Sequence, residues 1–172
     1  ADAHKAGSAA ERGTLTHRFL QLMDLAIDPE EPRVRQQLTA LVASGTLPAS
    51  AETLVDTAGV TAFLRSALGQ RVRRAADRVR REVMFVTRIQ PDQIDKTVSS
   101  VDHHDVVLLR GMIDIMLPCD DGLEIIDYKT DSITADQVHE RTEQYRMQLE
   151  LYAQAVADIW RMPVKAKWLV FL

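Results

Sequence analysis

The chain contains a single cysteine, Cys119, in 172 residues, so no intrachain disulfide can form. Four-thiolate zinc sites and iron–sulfur clusters are excluded for the same reason. A lone thiol suits a reducing cytosol. No apolar run approaches the roughly 20 residues needed to span a bilayer, and the N-terminus has no apolar signal core. A basic surplus is missing too. Lys and Arg number 21 against 25 Asp and Glu, a formal charge of −4, which is not the usual balance of a nucleic-acid binder. No Gly-x-x-x-x-Gly-Lys-[Ser/Thr] phosphate loop occurs, so an ATP-driven motor would have to lie outside these residues.

What is present is ordinary globular material, 46% apolar and 27% charged, of a length that suits one domain. The charge is unevenly spread. Seven arginines and one acid, Asp77, fall between Arg65 and Arg81, whereas acids gather at Asp28–Glu31 and along Asp102–Asp136. The arginine run reads either as a solvated helix face or as a phosphate track. It has no interleaved aromatics and so gives no support for base stacking. The chain starts without methionine and stops inside an apolar stretch, Trp168–Leu172, which suggests part of a longer protein.

Residues 1–12 read as a loose lead-in, followed by a helix capped by Thr14 and stopped by Asp28-Pro29. Residues 30–81 read as helical, in segments Pro32–Val42, Ala51–Thr57, Val60–Leu68 and Arg71–Arg80. The texture changes at Glu82. Val83–Thr87 is a strand candidate, 90–105 a polar loop, Val106–Leu117 a long strand, Pro118–Gly122 a turn and Leu123–Thr130 the next strand. Strands apolar on both faces imply a sheet covered on both sides. A long helix follows to about Trp160, with a stripe of Tyr145, Leu149, Tyr152, Val156 and Ile159, and Lys165–Leu172 is a last strand. No internal repeat is present.

The residues with chemistry lie on the two middle strands. Alternation puts Asp127 and Lys129 on one side of their strand. A hairpin centred between Asp120 and Asp121 sets Asp114 opposite Asp127, and a slip of two sets it opposite Lys129. Opposed carboxylates weaken a sheet unless a cation compensates, and either Lys129 or a divalent metal could do so. Oxygen ligands suit Mg²⁺ or Mn²⁺. A bare Asp-x-Lys is more often a simple ion pair. Here it sits in a strand apolar enough to be buried, where ionised groups are costly.

Gly111-x-x-Asp114, then Ile-Ile-Asp127-Tyr-Lys129-Thr, then Gln148-x-x-x-Tyr152 resembles the RecB-like nuclease branch of the PD-(D/E)xK superfamily. Upstream, Arg12-Gly-Thr-x-x-His17-x-x-Leu-Gln21 resembles the histidine motif that opens this domain in AddA-type helicase–nucleases. The resemblance implies that Asp114 and Asp127 are metal ligands, joined by His17 and the Tyr128 carbonyl, with Lys129 as the catalytic lysine. Gln148 and Tyr152 match a helix motif beside the site, and Glu82 a less uniform acidic position. Gln148 and Tyr152 share one helical face, and core packing is the plainer account of Tyr152. His17, three positions past the expected cap, would be held neutral by the helix end.

The expected fold is therefore α/β, a small mixed sheet flanked by helices with a restriction-endonuclease-like core. It forms one nuclease domain over 1–172, mainly helical over 1–81 and catalytic over 82–172. The implied function is Mg²⁺-dependent DNA hydrolysis of the exonuclease type, with Mn²⁺ as substitute and no iron–sulfur cluster. It would serve helicase-coupled double-strand-break processing and recombinational repair in the bacterial cytosol or nucleoid. Implied partners are single-stranded DNA, contacted by Arg71, Arg73, Arg74 and Arg78, ATP-dependent helicase domains in the same polypeptide, and a second helicase–nuclease subunit, with no membrane. The alternatives are a catalytically silent DNA- or partner-binding domain and a free-standing exonuclease.

Overall fold

A computed structural model describes residues 8–90, 106–130, 134 and 136–172. Five helices come first: α1 Ala9–Leu22, α2 Glu31–Ala43, α3 Ala51–Leu54, α4 Thr57–Arg65 and α5 Ala67–Arg74. Strands β1 Arg80–Ile89, β2 Val107–Cys119 and β3 Gly122–Lys129 follow, then α6 Val138–Trp160 and β4 Val164–Phe171. The α/β class and the helix-then-sheet order match the sequence expectation.

Several boundaries differ from it. The cap of α1 is Ser8, whose hydroxyl accepts from the Glu11 N–H, so 9–12 are helical. Thr14 is interior, and its hydroxyl donates back to the Ala10 carbonyl. The helix stops at Leu22, where the Met23 N–H closes on the Phe19 carbonyl, well before Asp28. The expected helix Arg71–Arg80 ends early, because the Ala75 N–H caps the last carbonyls of α5. Arg80 and Arg81 belong to β1. Pro118 and Cys119 lie in β2 rather than in the turn. This is tolerated because β1 begins opposite Met116, leaving no neighbour on that side to need the missing proline N–H. On α6, the buried steps Leu149, Ala153 and Val156 lead to Trp160, while Ile159 is 42% exposed. At 3.6 residues per turn Ile159 has rotated off the stripe. Of the expected loop over 90–105, Gln90 is outside β1, and 91–105 lie outside the described residues.

The sheet order is β1-β2-β3-β4. β1 and β2 are antiparallel from Arg80↔Met116 to Ile89↔Val107, and β2 and β3 from Ile115↔Ile126 to Cys119↔Gly122. The second ladder turns between Asp120 and Asp121. β4 runs parallel to β3. The Leu123 N–H donates to the Pro163 carbonyl at one end, and the Leu172 N–H to the Lys129 carbonyl at the other, both 2.9 Å. A helix between parallel strands is the usual crossover, and it makes the sheet mixed.

The chain divides into two compact units. The first contains the described residues up to 79 with 127–130 and 169–172, and its core includes Phe19, Val34, Leu38, Val60 and Leu64. The second contains the described residues of 80–126 and 134–168. There β2 is buried continuously from Ile113 to Leu117, and β3 from Gly122 to Ile126, so both faces are covered at those positions. Burying each such large aliphatic side chain contributes about 1.5–3 kcal/mol. Among the described residues no helix is long and apolar enough to cross a membrane.

Candidate metal centre

In the second unit, β1 and β2 bring two carboxylates to one register position. Arg81 pairs with Ile115 and Val83 with Ile113, so Glu82 and Asp114 stand opposite each other. Their oxygens lie within 4.8 Å, and Asp114 is buried. Glu82 has φ 51°, a left-handed conformation at the third residue of β1. For a non-glycine residue this costs roughly 1–2 kcal/mol, and like charges facing across a ladder are themselves destabilising. Strain and repulsion on one residue pair mark a position shaped for something other than stability.

Gly111, three residues before Asp114, pairs with Phe85. A Cβ at 111 would fall 2.4 Å from the Phe85 ring and 2.7 Å from that of Tyr152. Those two rings meet edge to face, centroids 5.0 Å apart, so α6 packs its Tyr152 directly over the glycine. The glycine of Gly-x-x-Asp is thus required by packing. Gln148, one turn earlier on α6, is half-buried.

In the first unit, alternation puts Asp127 and Lys129 on one side of β3, with Tyr128 turned to the other. The Lys129 ammonium lies 2.6 Å from an Asp127 oxygen, and their side chains are only 16% and 10% exposed. Tyr128 is buried against Phe63, ring centroids 5.3 Å apart, and meets the edge of the His17 ring at 5.9 Å. α1 comes close to the end of β3 because Gly13 leaves room: a Cβ there would be 2.8 Å from the Thr130 hydroxyl. His17 is half-buried and is the ninth residue of α1. It is therefore two turns inside the helix, too deep for the helix N-terminus to act on its charge.

Of the arginines, Arg71 and Arg73 are half-buried and Arg74 and Arg78 exposed. The Arg73 Nε donates to the Ile27 carbonyl at 3.0 Å, fastening the segment after α1. A run that looks like one basic face is divided among α4, which holds Arg65, α5, the turn after it and β1.

The second unit thus offers two carboxylates at one register position, and the first unit a carboxylate paired to a lysine. Carboxylate oxygens are the ligands that suit Mg²⁺ or Mn²⁺. Sequence comparison finds the model of the PD-(D/E)XK nuclease superfamily matching residues 2–172. Among curated proteins, an ATP-dependent helicase/nuclease subunit of Carboxydothermus hydrogenoformans is 33% identical over 93% of this chain and 14% of its own length. The proteins of the same name from Lactiplantibacillus plantarum and Geobacillus thermodenitrificans are 34% and 33% identical over 98% and 90% of the chain. In each of those two the match spans 13% of the relative, so the chain corresponds to about one-seventh of these proteins.

Proposed function

The chain belongs to the PD-(D/E)XK nuclease superfamily, and from that premise we propose that it is a Mg²⁺-dependent deoxyribonuclease, with Mn²⁺ as substitute. The observation that carries the reading is the opposed pair Glu82 and Asp114, a costly arrangement that a divalent cation would compensate. A second strand adds support: Ile125, two residues before Asp127, pairs with Met116, two residues after Asp114.

In this reading Asp114, Asp127, His17 and the Tyr128 carbonyl hold one divalent ion, and Glu82 lies beside it. When bound, such an ion neutralises charge on a phosphoryl oxygen and makes water more acidic. Lys129 orients the attacking water by its fixed pairing with Asp127 and stabilises negative charge gathering on the phosphoryl oxygens. Asp127 limits the freedom of that ammonium. Gln148 and Tyr152 line the helix beside the site, and Arg71, Arg73, Arg74 and Arg78 offer phosphate contacts. The relatives are named as ATP-dependent helicase/nuclease subunits, which supports helicase domains in the same polypeptide. To this the proposal adds exonucleolytic action on single strands and a second subunit beside it. The proposed setting is double-strand-break processing and recombinational repair in a bacterial cytosol, with residues 1–172 as one nuclease domain.

The test is cleavage of end-labelled single-stranded DNA with and without Mg²⁺. Lys129→Ala is expected to lose roughly 10²–10³ in rate, the usual cost of removing one electrostatic donor to the transition state. Lys129→Arg, which keeps the charge beside Asp127, controls for folding. A well-folded Lys129→Ala protein that cuts as fast as the parent overturns the mechanism.

A further inference from the structure

The side of the β1–β2 ribbon that carries Asp114 continues outward as an exposed surface. On β2, Asp114 alternates with Met112, Arg110 and Leu108. On β1, their partners in the register are Met84 opposite Met112, Val86 opposite Arg110 and Arg88 opposite Leu108. On the other side of the ribbon Phe85 and Ile89 are buried, Phe85 under Tyr152, and only Val107 at its end is exposed among the large apolar residues. This side is open: Met84 is 75% exposed, Leu108 61% and Val86 58%. Four large apolar side chains, Met84, Val86, Leu108 and Met112, are therefore neighbours on one exposed face, the kind of surface at which binding sites are found.

Two guanidinium groups lie in that patch, Arg88 and Arg110. They occupy diagonal positions across the ladder, a separation of about 7–8 Å. No carboxylate pairs with either among the described residues. The described ribbon thus carries carboxylates at Glu82 and Asp114, and cations at Arg110, four residues from Asp114, and at Arg88, six residues from Glu82. At roughly 3.3 Å per residue, Arg110 stands about 13 Å along β2 from Asp114.

We propose that this ribbon face is the track on which a single-stranded nucleic acid reaches the metal centre, with Arg88 and Arg110 on backbone phosphates and Met84, Val86, Leu108 and Met112 against unpaired bases. The inference rests on the nuclease reading for its direction, toward Asp114, but on the ribbon alone for its binding. Phosphates are what two neighbouring guanidinium groups recognise. The apolar strip selects the single strand, because only unpaired bases turn their faces outward; in a duplex they are stacked inside. A second copy of the chain fits poorly, since a two-fold contact through this face would bring four arginines together.

Binding of an oligodeoxythymidylate, measured in EDTA over a range of salt, separates this from catalysis. Replacing both residues in the double variant Arg88→Gln/Arg110→Gln should weaken binding several-fold and reduce the slope of log K against log salt by about 1.4, or 0.7 for each phosphate no longer neutralised. Met84→Ser with Met112→Ser should weaken single-strand binding more than binding of a duplex of equal length. These side chains are exposed, so circular dichroism should match the parent. An unchanged affinity and slope in the arginine variant overturns the proposal, and leaves the face to a protein partner. Equal binding of duplex and single strand by the parent overturns the role given to the apolar strip. A parent that binds DNA in this way but never cuts it sinks the nuclease reading and leaves the track standing.

Discussion

At Glu82 a positive φ and a carboxylate facing Asp114 fall on one residue. Each is unfavourable, and together they predict a trade between stability and metal affinity. Glu82→Gly removes the side chain that makes the left-handed conformation costly, along with the repelling charge. Metal-free stability by urea unfolding should rise by about 1 kcal/mol, while Mn²⁺ binding weakens. A variant that loses stability would show that the surroundings of Glu82 more than repay its strain. His17 and Asp127 permit a sharper comparison. Asp127→Asn removes a charge from the proposed ligand set and should lower Mn²⁺ affinity strongly by calorimetry. His17→Ala removes a neutral ligand that water can replace, so it should lower affinity less. If His17→Ala binds Mn²⁺ like the parent, the imidazole is not a ligand, whatever becomes of Asp114 and Asp127.

Among the elements, β2 and α6 meet at a point where one methyl group is too many. Gly111→Ala would force its Cβ between the rings of Phe85 and Tyr152, against atoms 2.4–2.7 Å away. Overpacking of this kind costs about 1–3 kcal/mol, to be read from the urea midpoint. Tyr152→Ala in the same background should recover part of that loss by vacating the space. This meeting of rings shows what the sequence can and cannot disclose. Asp127-x-Lys129 is readable because strand alternation is local and strict. The turn between Asp120 and Asp121 is readable because two carboxylates and a glycine separate two apolar runs. The reason for Gly111 is not, since Phe85 and Tyr152 come from elements 26 and 41 residues away and only packing unites them. The partnership of Glu82 with Asp114 is hidden for a related reason: the register of β1 on β2 is set across a connection of 17 residues with no short turn to fix it. The cap of α1 is ambiguous in sequence because Thr14 and Ser8 are both good capping residues, and local chemistry alone does not choose between them.

For the molecule as a whole, the proposed function ties metal binding to stability. The proposed ligands are scattered from residue 17 to residue 128 of the sequence, so an ion held by them would bind the native state and not the unfolded chain. A ligand at one hundred times its dissociation constant adds about 2.7 kcal/mol to native stability. In a chain of 172 residues that amounts to a rise of roughly 5–10 °C in Tm. Thermal melts in EDTA and with increasing Mn²⁺ should show this rise, saturating with the affinity found by calorimetry. The molecule carries 25 acidic residues, and weak screening by any divalent cation could also stabilise it. Two controls separate these effects. Asp127→Asn should lose most of the Mn²⁺-dependent rise, because it changes the net charge by one unit but removes a ligand. Neutralising Glu31 or Glu143, exposed acids on α2 and α6, changes the charge equally and should leave the rise intact. If all three variants respond alike, the cation acts as a diffuse counterion, and the opposed carboxylates of β1 and β2 have to be explained without a metal.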